Sequence, residues 1–142
     1  MPAYAGKWRA AKDTMFDLMR RLALVPMVLD ARGLDVSPQM ILFFEKFGET
    51  PALATLGGVY AKKVADVAYG SEWFNWLCGR DGFDPKEAFH ELVRQDFHGA
   101  SKPPFNEEKR AEAGMPPRFL LASYRRLADR FARTIGGFLP IL

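Results

Sequence analysis

Apolar positions recur at intervals of three and four along most of the chain, the period of helices that bury one stripe. Trp8, Ala11, Met15, Leu18, Leu22 and Val25 form the first such stripe. It predicts a helix over about 5–32, kinked at Pro26 and closed at Gly33. Ser37-Pro38 reads as a cap followed by a first-turn proline and opens a short helix to Phe47, closed by Gly48. Thr50-Pro51 repeats that signal and begins a second long helix over about 51–78. Gly57 and Gly58 inside it each cost about 1 kcal/mol relative to alanine, so a closely packed neighbour is expected against them. Asp84-Pro85 with Glu87 is a capping box opening a helix to about Phe97. Asn106 caps a short segment to Ala113, and Pro117 marks the start of a last helix ending at Gly136-Gly137. No alternating strand pattern and no internal repeat interrupts this series. The expectation is an all-α protein: two long antiparallel helices, with shorter ones covering part of their flanks.

Composition narrows the class. The 142 residues suffice for one domain with a core, and 49% are hydrophobic while 26% are charged, as in folded globular chains. Cys78 is the only cysteine, which excludes an intrachain disulfide and a thiolate zinc site. Its apolar neighbours Trp76 and Leu77 predict a buried, inert thiol. The run Leu22 to Leu29 is far shorter than the ~20 residues of a membrane span, and the basic N-terminus lacks the apolar core of a secretory signal. The expected setting is soluble and intracellular, either cytoplasmic or within an organelle, and not secreted. A net charge of +3 favours nucleic acid only slightly over a solvated basic face.

Several ordered stretches resemble an uncharacterised ferritin-like family. They are Leu22-Ala23-Leu24-Val25-Pro26, Ala31-Arg32-Gly33-Leu34-Asp35-Val36 with Pro38, Val67 to Phe74, Trp76-Leu77-Cys78, and Pro104-Phe105-Asn106 with Arg110, Ala113 and Gly114. The resemblance covers residues 5–115 of a single domain spanning 1–142, and 116–142 add a C-terminal helix and apolar tail. It implies a four-helix bundle holding two metal ions, of which this chain matches only the C-terminal half, so the expected fold is an incomplete ferritin-like bundle. The family's relatives include diiron oxygenases, among them a tRNA-modifying hydroxylase. The resemblance also implies metal ligands, a glutamate and a histidine on each long helix, at the positions of Lys12, Phe16, Lys63 and Asp66. Lysine offers no lone pair and phenylalanine no ligand atom. The expectation is therefore that the metal site is lost, with no cofactor and no enzymatic activity. Either Lys63 and Asp66, joined by Lys12, replace the metals as an internal ion-pair cluster, or they lie on a solvated face.

Other candidate chemistry is sparse. His90 and His98 stand eight apart, about 12 Å along a helix and too far for one metal ion, so they read as surface residues. Trp73, Phe74 and Trp76 read as core rather than as a base-stacking platform. Met40, Ile41, Leu42, Phe43, Phe44 and Phe47 cover most of the circumference of a short helix, and Phe138, Leu139, Ile141 and Leu142 form an apolar tail. At least one of these sets is expected to be a protein interface. Arg118, Arg125, Arg126, Arg130 and Arg133 could form a basic patch, although their mixed spacing around a helix fits a solvated surface equally well.

The function expected is that of a non-catalytic structural or interaction subunit in a homo-oligomer or multisubunit complex. Two alternatives stay open: a metal-dependent oxidoreductase with ligands completed by a partner, and an RNA-binding accessory protein.

Overall fold

A computed structural model describes residues 9–10, 12–14, 17–96 and 104–120. Its helices are α1 (Leu18–Leu24), a π-helical turn (Val25–Asp30), α2 (Ala31–Lys46), α3 (Thr50–Asp81), α4 (Pro85–Asp96) and α5 (Glu107–Glu112), followed by a 3-10 turn (Pro117–Phe119). The all-α expectation holds for the described residues.

The first helical run differs from its sequence reading at both ends. It begins anew at Leu18, because Asp17 is extended and its carboxylate accepts the Arg20 amide at 3.0 Å. Leu18, expected in the buried stripe, is 58% exposed. At the other end, the run does not stop at Gly33. It passes through Pro26 as a π turn, in which the Ala31 amide reaches back to the Pro26 carbonyl. Widening the helix by one residue per turn accommodates a ring that would otherwise strike the preceding turn. The chain then continues through Gly33 and Pro38 to Lys46. Pro38 removes the amide that would bond the Leu34 carbonyl, and Asn106 replaces that donor with its side-chain amide, 3.1 Å from Leu34 O. A tertiary bond thus lets the helix survive its proline.

α3 turns back at Phe47–Glu49 and runs antiparallel to α1, the π turn and α2: Gly33 faces Lys63, and Pro26 faces Gly70. α3 extends three to four residues beyond its expected end and stops at Gly82, whose φ of 77° is the left-handed cap conformation. Gly57 and Gly58 have nothing packed within 4 Å of a would-be Cβ, so the close neighbour expected there is absent among the described residues. The close approach is made at Gly70 instead.

α4 starts as its capping box predicts, with the Glu87 amide bonded to Asp84 Oδ1 at 2.9 Å. Phe89 and Val93, one turn apart, are buried, and Phe89 packs edge-on against Phe74 and Phe119. Arg20 of α1 reaches Asp96 at the far end of α4. The core is built from Ala23, Met27, Ala31 and Leu34 on one side and Val67, Phe74 and Cys78 on the other, closed by Phe89, Ala113, Met115 and Phe119. Cys78 is fully buried, as its neighbours predicted, and that burial, with Asp84 and Asp81 adding to it, pushes its thiol pKa up. After the 3-10 turn, Leu120 is extended. The remainder of the last helix expected from Pro117 lies outside the described residues.

Candidate functional site

Two of the helix positions at which metal ligands are implied, Lys63 and Asp66, carry charges paired with other side chains. Lys63 crosses from α3 to the π turn and pairs with Asp30 at 2.5 Å, both side chains being largely shielded from solvent. Its aliphatic stem lies across Gly33, where a Cβ would already touch Lys63 Cγ and Cδ at 3.4 Å. Asp66 is bonded by Lys62, one turn earlier on the same helix, at 3.2 Å and at the surface. Lys12 is exposed, and Phe16 lies outside the described residues. Of the two readings of these positions, cluster or solvated face, neither describes both residues: Lys63 and Asp66 belong to two separate pairs, the first partly shielded and the second at the surface. Lys63 and Asp66 stand only about 60° apart around α3, but Lys63 reaches across to Asp30 on the π turn while Asp66 takes Lys62 at the surface. Ammonium groups carry no lone pair, and the carboxylates here are held by lysines, so this donor set does not suit a pair of metal ions. Among the described residues no group of three or more His, Cys, Asp or Glu is placed to hold one.

The partly shielded Lys63–Asp30 pair sits between the surface and buried regimes. Lys63→Met leaves Asp30 without its ammonium and is expected to cost about 1–2 kcal/mol in urea denaturation. Lys62→Met, which breaks an exposed pair, is expected to cost less than about 0.5 kcal/mol.

A second polar constellation escaped the sequence reading. Asp35 on α2 is fully buried and accepts a forked pair of bonds from Arg110, Nε to Oδ1 at 2.8 Å and Nη2 to Oδ2 at 2.7 Å. It also accepts the Asn106 backbone amide at 2.9 Å, and Arg32 lies 3.6 Å away. The Asn106 side chain donates to Leu34 O and to the Tyr60 hydroxyl, and its own oxygen caps α5 at the Lys109 amide. Burial raises the Tyr60 pKa, with the Asn106 bond acting against it. Phe105 lies beneath the Arg110 guanidinium at 5.4 Å. Further along, Ser71 Oγ donates to Ala113 O at 2.7 Å. The segments around Asp35 and around Asn106 both carry the family resemblance. Folding brings them together, some seventy residues apart in the chain. Their juxtaposition was the available signal, although no local pattern pairs Asp35 with Arg110. With every charge satisfied, this constellation is a structural clamp fastening residues 104–120 to the helical hairpin.

The apolar candidates divide. At the end of the hairpin Met40, Leu42, Phe43 and Phe47 are exposed, the two rings at 57% and 61%, while Ile41 and Phe44 are half-buried. Phe43 stacks on Phe44 and Phe47 with centroids 5.5 and 4.8 Å apart, a ring cluster without a cover among the described residues. Trp73 and Trp76, expected in the core, are exposed, and only Phe74 of that trio is buried. Apolar residues occur on more than one side of α3, and the core takes only the Phe74 side. His90, expected at the surface, is half-buried, with Nε2 3.1 Å from Phe119 O. His98 lies outside the described residues, as do Phe138, Leu139, Ile141, Leu142, Arg125, Arg126, Arg130 and Arg133. Arg118 is exposed, with its guanidinium 5.5 Å from the centre of the Phe119 ring. No described helix is long and apolar enough to cross a membrane.

Comparison with known proteins places these features in a wider group. A family model described as a protein of unknown function, DUF455, matches residues 1–121. An uncharacterized protein of Haemophilus influenzae is 32% identical over 112 residues, which are 79% of this chain and 39% of the relative. The chain thus spans well under half the length of that relative. No solved structure matches.

Proposed function

The chain belongs to the DUF455 family, whose function is unknown, and we propose that this member is a non-catalytic interaction subunit built on part of a ferritin-like bundle. The observation that carries the proposal is the ring cluster at the hairpin end. Phe43 and Phe47 stand more than half exposed at the end of α2. Two phenylalanines held against one another in water mark a surface that gains by being covered. The implied ligand positions support the non-catalytic half of the reading, since Lys63 is committed to Asp30 and Asp66 to Lys62.

Native mass spectrometry of the full chain purified gently from its source tests both halves. The expected result is a metal-free assembly with protein partners that Phe43→Ser/Phe47→Ser disrupts. Because both rings are exposed, that double variant is expected to keep its helical circular dichroism and to lose less than about 1 kcal/mol of stability. Collapse of the monomer fold would reassign the rings to the core. Two retained metal ions per assembly would favour the oxidoreductase reading, with a partner completing the ligand set.

A further inference from the structure

Among the described residues, α3 has a second, partly apolar side that the core does not use. Tyr60 and Ser71 point toward the clamp, bonding Asn106 and Ala113. About 180° around the helix from them stand Val59, Lys62, Asp66, Tyr69, Trp73 and Trp76, at successive steps of three or four residues. Tyr69 is 66% exposed, and Trp73 and Trp76 are more than half exposed. The two indoles meet edge to face at 5.8 Å, and the Arg80 guanidinium lies 5.5 Å from the Trp76 ring centre. Trp, Tyr and Arg are the residues over-represented among those that anchor protein interfaces.

We propose that this stripe is the contact of a two-fold dimer of this chain, with the two copies of α3 side by side and antiparallel. The dyad falls between Asp66 and Tyr69. The inference is independent of the ring cluster at the hairpin end, which is a different surface.

The stripe is complementary to itself in reverse. An antiparallel pairing about that dyad sets Asp66 opposite the partner subunit's Tyr69, so a phenol hydroxyl meets a carboxylate acceptor. It sets Lys62 over the partner subunit's Trp73, an ammonium over an indole face. It sets Val59 against the partner subunit's Trp76, apolar on apolar. A two-fold interface requires that the same patch answer itself in this way. Lys62 already leans toward Asp66 at 3.2 Å, leaving its stem along the stripe and its remaining protons free to face a ring.

The area also fits. Three rings at this exposure leave roughly 350 Å² of aromatic surface. Val59, the stem of Lys62, Asp66 and the neighbouring Met40 bring the face to about 700 Å², close to one partner's share of a standard interface. Met40 lies on the same line of α2 as Gly33, which Lys63 crosses from α3, so it borders this face. Two hairpins joined in this way make a four-helix layer that covers the side each leaves open.

Analytical ultracentrifugation of the full chain from micromolar to millimolar concentration is the first test. The expected result is a reversible dimer whose dissociation constant rises about 30-fold or more in Trp73→Glu, the loss of a buried aromatic anchor. The same variant should keep wild-type helicity as a monomer, since Trp73 makes no core contact. Phe43→Ser/Phe47→Ser should leave the dimer unchanged. Mixing Asp66→Cys with Tyr69→Cys chains under mild oxidation should give the 66–69 crosslinked heterodimer in preference to either crosslinked homodimer. The native Cys78 is buried and leaves that background clean. A chain that stays monomeric throughout, or pairs only with a different protein, overturns the proposal. So does a dimer that survives Trp73→Glu or that is abolished by the hairpin-end variant.

Discussion

Asp35→Ala is expected to lower unfolding stability by about 3–5 kcal/mol, because it leaves a buried charge without its partner. The variant removes the carboxylate that accepts both arms of Arg110 and the Asn106 amide. Arg110 is then left charged within a site where its side chain is only 7% exposed. An uncompensated buried charge is what makes the loss large; the pair itself contributes much less relative to an apolar replacement. Asp35→Leu combined with Arg110→Met should therefore recover much of the stability lost by either alone, giving a strongly non-additive double-mutant cycle in urea denaturation. Additive losses would mean that the two side chains do not depend on one another. Release of residues 104–120 from the hairpin should accompany the loss, read as faster hydrogen exchange in α5 than in α4.

Gly70→Ala is expected to destabilise by about 2 kcal/mol, although alanine is the better helix former by about 1 kcal/mol. A Cβ at position 70 would stand 2.4 and 2.5 Å from Cγ and Cβ of Pro26. The obstacle is a rigid ring seated in the π turn, so the two helices must separate to admit the methyl group. Pro26→Ala in the same background removes that ring and should restore part of the loss. Gly57→Ala and Gly58→Ala provide the opposite sign: nothing lies within 4 Å of either position, and each should stabilise by about 0.5–1 kcal/mol. Thermal unfolding of the three glycine variants side by side separates the two signs. A stabilised Gly70→Ala would rule out the tight Pro26 contact.

The clamp and the glycine seam together account for how a small chain keeps a long hairpin ordered. α3 is 32 residues long and buries residues mainly in its second half, from Val67 to Cys78. There Pro26, Ser71 and the clamp residues hold it. The first half, from Thr50 to Ala65, has no buried residue and carries the free end of the hairpin, beside the ring cluster. Rigidity at one end and uncovered apolar surface at the other suit a part that presents a face to something else.

Three helix beginnings were legible in the sequence because they are local, whereas the start read at Ser37-Pro38 falls inside α2. Asp84 capping the Glu87 amide, Asn106 capping the Lys109 amide and the Thr50-Pro51 start all rest on atoms within three or four residues of one another. The all-α class and the burial of Cys78 were legible for the same reason: short-range periodicity carries them. The end read at Phe47–Gly48 was legible too, but the end read at Gly33 was not a true one. Gly33 and Pro38 have the composition of a terminus, but Lys63 packs across the first, and Asn106 supplies the bond that the second removes. Both partners come from elsewhere in the chain.

The same division governs the sites. Residue order alone dictates which charges and rings exist and which helix face each occupies. Packing in three dimensions is what pairs Lys63 with Asp30 rather than Asp66, and what brings Asp35 to Arg110. It also left Trp73 and Trp76 outside the core while Phe74 entered it. A helix with apolar residues on more than one side has no local preference for which side is buried. That choice is made by the surfaces available to pack against it, and among the described residues they cover one side of α3 and leave the other open.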